Sequence, residues 1–401
     1  MISVPPVKYE THKWVAHNDG MTSQTKLRNA TGKYQSSIPS EIAKLDFHIA
    51  ANLAADIEEA TSELTRFDSH AAATLGPASR ALGPMSSILL RTESTSSSQI
   101  ENLTVGARQL ALAEIEQSIS VNAKTVVGNV KAMEAALALA DDIDESAILH
   151  IHAELVSRQQ GWEKYAGKYR EELVWIGHTA VSPIGAAFVA CQSEYVPGAM
   201  HDLVEFMTRI DLPAIIQAAI AHAQFETIHP FADGNGRTGR AIVHSLLRYR
   251  NIVTSTTAPV SAGLLKQTGQ YFDSLRSYRE GDATPIVERF VSASLFAAWS
   301  GTKLVDSLAE QLELSKQKMV GLTARSSAWT VLPYLVSQPV INSSALIKHF
   351  GMNEMAAQRA LNSLSECGVL EEKTGKQRNR VWQHSGILAV LDDYAESLRR
   401  Q

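Results

Sequence analysis

Apolar positions recur at helical spacing along most of the chain. Ile42, Leu45, Ile49, Leu53 and Ile57 follow one another up to about Phe67, which predicts a helix with one buried face. The string SIPSE at 37–41 would start it, with Ser40 as N-cap. The first 36 residues are polar and mixed, and read as an extended arm lying on another surface or as partly disordered. Gly76-Pro77 and Gly83-Pro84 punctuate the pattern. A second helical stretch through Ile88, Leu89 and Leu90 gives way to the Ser-rich TESTSSSQIEN. From about 107 to 166 the pattern is helical throughout. One segment reads as β: residues 173–177 and 186–189 flank a loop with Ser182-Pro183 and Gly185, a hairpin. Helices resume at 198–210 and 213–228, continue after a loop at 229–234 into 235–250, and later run through 285–320.

A separate unit begins near residue 326. Trp329, Val331, Leu332 and Leu335 predict a helix ended by Pro339; Ser343-Ser344 start a second and Asn353 caps a third. The stretch VLEEKTGKQRNRVWQ then reads as two short strands about a turn at Thr374-Gly375. Helix, turn, helix and β wing is a winged helix-turn-helix. The expected fold is mainly α with a small β-hairpin. Four segments are expected: an N-terminal arm at 1–36, an N-terminal helical region at 37–110, a helical core at 111–322 and the winged helix at 323–401.

Composition narrows the classes. Of 401 residues, 45% are hydrophobic and 20% charged, ordinary globular usage. Net charge is −5 (37 − 42), which argues against non-specific nucleic-acid binding as the main role. Cys191 and Cys367 are the only cysteines, so neither a disulfide framework nor a cysteine-based zinc site is supported. No apolar h-region opens the chain and no uncharged apolar run reaches membrane length. The expectation is a soluble, cytoplasmic protein with no membrane partner.

The segment HPFADGNGRTGR at 229–240 carries the chemistry. Pro230 should stop the preceding helix near His229 and put that imidazole on a loop. Gly234-Asn235-Gly236 lets backbone N–H groups converge at a helix start, the geometry of a phosphate nest. Arg237 and Arg240 share one face of the first turns and can present two forks to one anion. A cationic first turn opposes the helix dipole by about 0.3–1 kcal/mol per charge unless an anion is present. Asp233 can hold a Mg²⁺ that bridges phosphate oxygens, and His229 can take a proton from a hydroxyl.

This segment resembles the motif of the Fic family, HPF-x-[D/E]-GN-[G/K]-R-x-x-R, at every defined position. The resemblance implies a Fic-type helical bundle that transfers AMP from ATP to a Tyr, Thr or Ser hydroxyl of a protein, the chain itself included. It implies His229 as base and Asp233 on Mg²⁺. Gly234, Asn235 and Gly236 would form an anion hole, with Arg237 on the β- and γ-phosphates and Arg240 on the γ-phosphate. The hairpin, with Val174, Trp175, Ile176 and Gly177 as its first strand, is similar to the family's flap, which clamps a target by strand addition; a hairpin merely packed on the helices is the alternative. Ser97, Glu101 and Asn102 resemble the inhibitory motif [S/T]-x-x-x-E-[G/N], in which the Glu carboxylate takes the fork of Arg240 that the γ-phosphate needs; a Ser-rich helix with a solvated Glu is the plainer alternative. Beyond about residue 37 the order of parts is similar to that of the longer bacterial Fic proteins.

Other readings stay open. The chain could be a nucleotide-sensing winged-helix regulator or antitoxin-like module, or a Fic enzyme that removes AMP. From 341 onward there are eight Lys/Arg and seven Asp/Glu, so DNA binding has only the basic wing at 373–380 in its favour. Dimerisation or target docking suits this unit better, and a homodimer is left open.

Overall fold

The computed structural model describes residues 1–16, 23–74, 82–157, 159, 161–177, 181–373 and 380–398. The Gly76-Pro77 break and the Thr374-Gly375 turn lie outside the described residues. Strands β1 (Lys8–Trp14) and β2 (Gly32–Ile38) bracket the short helix α1 (Gln24–Asn29). Helices α2 (Ala51–Thr74), α3 (Leu82–Ile100), α4 (Ala107–Glu114), α5 (Val121–Ala138) and α6 (Glu145–Val156) follow. Strands β3 (Trp175–Ile176) and β4 (Phe188–Val189) precede α7 (Val196–Met207), α8 (Ala214–Ile228) and α9 (Asn235–Tyr249). Then come α10 (Val260–Lys266), α11 (Thr268–Arg279) and the long α12 (Thr284–Lys318). The C-terminal run is α13 (Ala328–Val331), α14 (Tyr334–Ser337), β5 (Val340–Ile341), α15 (Ser343–Phe350), α16 (Glu354–Glu366), β6 (Glu371–Glu372), β7 (Trp382–Gln383) and α17 (Ser385–Ser397). The fold is mainly helical, and among the described residues no helix is long and apolar enough to cross a membrane.

The chain divides into two compact units. The first comprises Met1–Glu58, Ala135–Arg250 and Gly269–Val291. At its centre every residue of α8 is buried, and α9 packs along it. The helices approach closely at Gly239, where a Cβ would lie 3.0 Å from both His222 Nδ1 and Phe225 Cδ1.

The N-terminal stretch is not the loose arm its composition suggests. Residues 2–7 are tied to the α11–α12 turn: Val4 N–H donates to the Gly281 carbonyl (3.0 Å), Val7 N–H to that of Arg279 (2.9 Å), and Ala283 N–H to that of Ile2 (2.9 Å). β1 and β2 pair antiparallel from Lys8 with Ile38 to Trp14 with Gly32. Glu10, His12 and Trp14 are half-buried while Thr11 and Lys13 are exposed, the period of a strand. Backbone ladders need no apolar composition, and two of these three inward residues are polar, which hides the strand.

The next helix also starts later than expected, at Ala51. The Asp202 carboxylate accepts the N–H groups of Ile42 (2.7 Å) and Ala43 (3.1 Å), and Arg209 donates to the carbonyls of Ala43 (3.1 Å) and Leu45 (2.6 Å). These side chains hold 42–45 in a turn, and Ser40 Oγ donates to the Pro6 carbonyl (3.1 Å) instead of capping a helix.

The second unit comprises Glu59–Glu134, Asn251–Thr268 and Ser292–Gln401. Here α3 starts at Leu82, so Gly83-Pro84 lies in its first turn, where proline is tolerated. It then runs on through the Ser-rich stretch. Ser94, Ser96, Ser97 and Ser98 are buried; Ser98 Oγ donates to the Ser94 carbonyl (2.8 Å), and Asn129 Nδ2 reaches the Ser94 carbonyl (2.7 Å) and Ser98 Oγ (3.1 Å). The Ser98 hydroxyl is absorbed inside the helix and by α5, and the run stays helical. Asp68 gathers the backbone N–H groups of Thr254, Ser255 and Thr256 at 2.8–3.2 Å and fixes the loop before α10.

Pro333 divides what reads as one helix into α13 and α14. Asn342 and Asn353 cap α15 and α16, each accepting a backbone N–H at 2.8 Å. β6 and β7 occupy the two expected strand positions, and β5 adds a third to give the antiparallel order β5-β7-β6. Ala111 and Leu112 of α4 share a small core with Val340, Val381 and Leu388.

Candidate active site

Within the first unit α8 ends at Ile228, as Pro230 requires. His229 takes a left-handed conformation (φ 52°, ψ 61°), and its N–H closes the helix on the Phe225 carbonyl (2.8 Å). That backbone costs about 1–2 kcal/mol for a residue with a Cβ. The ring, 18% exposed, places Nδ1 3.3 Å from the Glu226 carbonyl and 3.6 Å from Glu226 Oε2. A carbonyl only accepts, so Nδ1 carries the proton and Nε2 the lone pair. Burial, and then the charge of Arg279, pushes this imidazole down to about 4, so it is neutral at pH 7.

The loop after His229 is fixed from three directions. Arg170 is buried; its Nε donates to the His229 carbonyl (2.8 Å), its Nη2 to the Cys191 carbonyl (2.7 Å), and its backbone N–H to the Pro230 carbonyl (2.9 Å). The Asn235 side chain clips Phe231 from both sides, accepting its N–H (2.9 Å) and donating to its carbonyl (2.8 Å). His152 stacks on Phe231 with centroids 3.7 Å apart, and its Nε2 lies 3.1 Å from the Asp233 carbonyl.

α9 then opens at Gly234, whose φ of 79° suits glycine and where a Cβ would meet Leu155 Cδ2 at 2.7 Å. Because the Asn235 side chain is engaged, that residue faces an anion only through its backbone N–H. Arg237 and Arg240 are buried in the first two turns. Arg237 Nη2 lies 3.4 Å from Asp233 Oδ2, which also accepts Gln159 Nε2 (3.0 Å). The structure thus gathers His229, Asp233, Gly234, Asn235, Gly236, Arg237 and Arg240 on one loop and helix start. Such a start, with its N–H groups and two guanidiniums, suits a polyphosphate.

Asp233 is 32% exposed and is the single carboxylate of that loop. Among the described residues no group of three or more His, Cys, Asp or Glu could enclose a metal. Mg²⁺ held by one carboxylate and substrate phosphates needs no such cage, so this donor set fits it.

Residues 142–247 match the Fic/DOC family. This stretch is a Fic domain. Among curated relatives, the protein adenylyltransferase fic-1 of Caenorhabditis elegans is 31% identical over 156 residues, 38% of this chain and 27% of that protein. The protein adenylyltransferase Fic of Drosophila virilis is 29% identical over 164 residues, 41% of this chain and 30% of that protein. The matched part therefore spans less than a third of these relatives. A crystal structure of a Fic family protein from Desulfovibrio desulfuricans G20 superposes with a TM-score of 0.51 at 22% identity, over 84% of this chain and 97% of that one. That likeness establishes the fold.

The Fic domain's hairpin is short: Trp175 pairs with Val189 and Ile176 with Phe188. The carbonyls of Val174 and Ile176 accept from Ala190 (3.1 Å) and Ala187 (2.8 Å), so the backbone groups of Trp175 point to the opposite edge. Ile176 and Gly177 are exposed; Trp175 meets Trp14 edge-on at 5.4 Å, so β1 and β2 lie against this hairpin. In the second unit Ser97 is buried near the end of α3, Glu101 is half-buried in the turn that closes it, and Asn102 is exposed with a φ of 64°. His152, Gln159, Arg170 and Arg279 escaped the sequence reading. None belongs to a local pattern, and each meets the loop or His229 from far along the chain.

Proposed function

We propose that this chain is a Mg²⁺-dependent protein adenylyltransferase that moves AMP from ATP to a Tyr, Thr or Ser hydroxyl of a protein. The observation that carries this reading is a neutral imidazole at 229, its Nε2 bearing the lone pair, beside a helix start built for phosphates in a Fic domain. The target hydroxyl gives its proton to His229 Nε2 as its oxygen forms a bond to the α-phosphorus. The bond from that phosphorus to the bridging oxygen breaks and pyrophosphate leaves. The N–H groups of Gly234, Asn235 and Gly236 would receive phosphate oxygens, with Arg237 on the β- and γ-phosphates and Arg240 on the γ-phosphate. Asp233 would hold Mg²⁺, which supplies positive charge to the α- and β-phosphates when bound. The edge at Val174, Trp175, Ile176 and Gly177 would align the target segment by strand addition.

The proposal includes a brake. Ser97, Glu101 and Asn102 end an inhibitory helix, and the Glu101 carboxylate would take the fork of Arg240 that the γ-phosphate needs. ATP would then lie with its α-phosphate out of line. The C-terminal elements would be a winged helix used for docking a protein or a second copy: α16 carries only Glu354, Arg359 and Glu366 as charges, poor in cations for reading DNA. Two distant cysteines suit a reducing, cytoplasmic setting.

The test is incubation of full-length protein with ATP labelled at the α-phosphate and Mg²⁺. Glu101→Gly should raise transfer about ten- to a hundredfold, the worth of a charge-assisted contact of about 1.5–3 kcal/mol. Adding His229→Ala should abolish it. Label that survives His229→Ala would exclude the imidazole as base, and no gain in Glu101→Gly would exclude the brake.

A further inference from the structure

Arg279, the last residue of α11, meets the base through the same oxygen that orients it. The Glu226 carbonyl lies 3.3 Å from His229 Nδ1 and also accepts from Arg279 Nη2 (3.4 Å). The guanidinium carbon sits 3.7 Å from the ring centre of Phe188 in β4, and the Arg279 carbonyl accepts the Val7 N–H (2.9 Å). Arg279 Nε is buried and has no hydrogen-bond partner among the described residues. Enclosing a guanidinium with a donor unmatched costs stability, so packing alone does not account for a cation here. Burial pulls Arg279 down from its usual value and the charge of Glu226 pulls it back. A guanidinium keeps its proton through such shifts.

The other neighbour of Nδ1 is the Glu226 carboxylate, with Oε2 3.6 Å away and the side chain 7% exposed. A carboxylate this close to a histidine favours the charged ring. Alone it would hold an imidazolium near neutral pH, and an imidazolium has no lone pair to take a proton. We propose that Arg279 is a positioning residue for the base: it bonds the Glu226 carbonyl, sets its charge against that of the Glu226 carboxylate, and so keeps His229 uncharged with its Nδ1–H turned inward. Two further charges face the ring: Arg170, from the segment before β3, acts with Arg279, and Asp233, on the loop itself, acts with Glu226. The Phe188 contact and the Val7 bond fix where the guanidinium stands. The purpose of this device rests on the adenylyltransferase reading, which is what requires a free lone pair at Nε2; the charge of the ring stands apart from it.

The test uses the full chain with 15N-labelled histidine rings, the His229 signals being those lost in His229→Ala. In the parent the ring should stay uncharged, with its proton on Nδ1, down to pH 5. Arg279→Gln keeps a donor for the Glu226 carbonyl and removes the charge, so the ring should charge with a midpoint at about pH 6 or above. Arg279→Lys keeps the charge and should follow the parent. Arg279→Gln/Glu226→Gln removes both charges, and burial should return the midpoint below about pH 5. Arg279→Met takes the place of Arg279→Gln if the melt of the latter shows it unfolded. A ring still uncharged at pH 5 once the arginine charge is gone, or a lysine variant that charges as the glutamine one does, would overturn the proposal. In the Glu101→Gly background, α-label transfer should be level between pH 8 and pH 6 and should fall at least twofold over that interval when Arg279→Gln is added. A level profile beside a shifted ring would overturn the role in transfer. If no variant transfers label, the adenylyltransferase reading fails and takes that role with it, while the ring signals still decide what Arg279 does to His229.

Discussion

His152 holds the Asp233 loop through both ring nitrogens. The Gly167 N–H donates to Nδ1 (3.1 Å), so that nitrogen accepts and Nε2 carries the hydrogen toward the Asp233 carbonyl. Burial pushes the ring down to about 4, which keeps this tautomer at neutral pH. In the Glu101→Gly background, His152→Phe should keep the stack on Phe231 and lose both hydrogen bonds. The expected result is a roughly fivefold higher KM for Mg·ATP, about 1 kcal/mol, read from initial rates of label transfer; an unchanged KM would release Asp233 from His152. The segment 229–240 was readable because its residues are contiguous and unusual for a helix start. His152 and Arg170 were not, because they reach the loop from 81 and 59 residues away in sequence.

At the scale of elements, the α8–α9 pair depends on the close approach at Gly239. Gly239→Ala gains about 0.5–1 kcal/mol of helix propensity but places a methyl 3.0 Å from His222 Nδ1 and Phe225 Cδ1. Those neighbours are buried, and His222 is bound to Tyr271 OH at 2.7 Å, so the ring cannot step aside. Overpacking of about 1–3 kcal/mol should win. The thermal midpoint should fall by a few degrees, and a midpoint at or above the parent's would show that α9 shifts freely. The long helices and the β3–β4 hairpin were legible from spacing and punctuation. β1 and β2 were not, since their inward faces are largely polar, nor was the late start of α2, which Asp202 and Arg209 impose from another part of the chain. α3 was half legible: its apolar residues mark a helix, while its serines read as a break until Asn129 is seen beneath them.

At the scale of the whole molecule, four histidines among the described residues are held uncharged by burial. His152, His229 and His384 are pushed down to about 4 and His222 to about 3. Unfolded, these rings take up protons near pH 6.5. Between that value and about 4 the unfolded chain binds more protons than the folded one, so stability falls as pH falls. The urea midpoint should be lower at pH 5 than at pH 7, and equal midpoints would show that the rings gain protons without loss of the fold. The ties between residues 2–7 and residues 279–284 carry a further consequence for synthesis. On a ribosome adding about 5–20 residues per second, residues 2–7 wait roughly 15–60 s for residues 279–284 to emerge. During that interval Ile2 and Val4 have no core to enter, and a chaperone or a neighbouring nascent chain can reach them before the rest of the protein does.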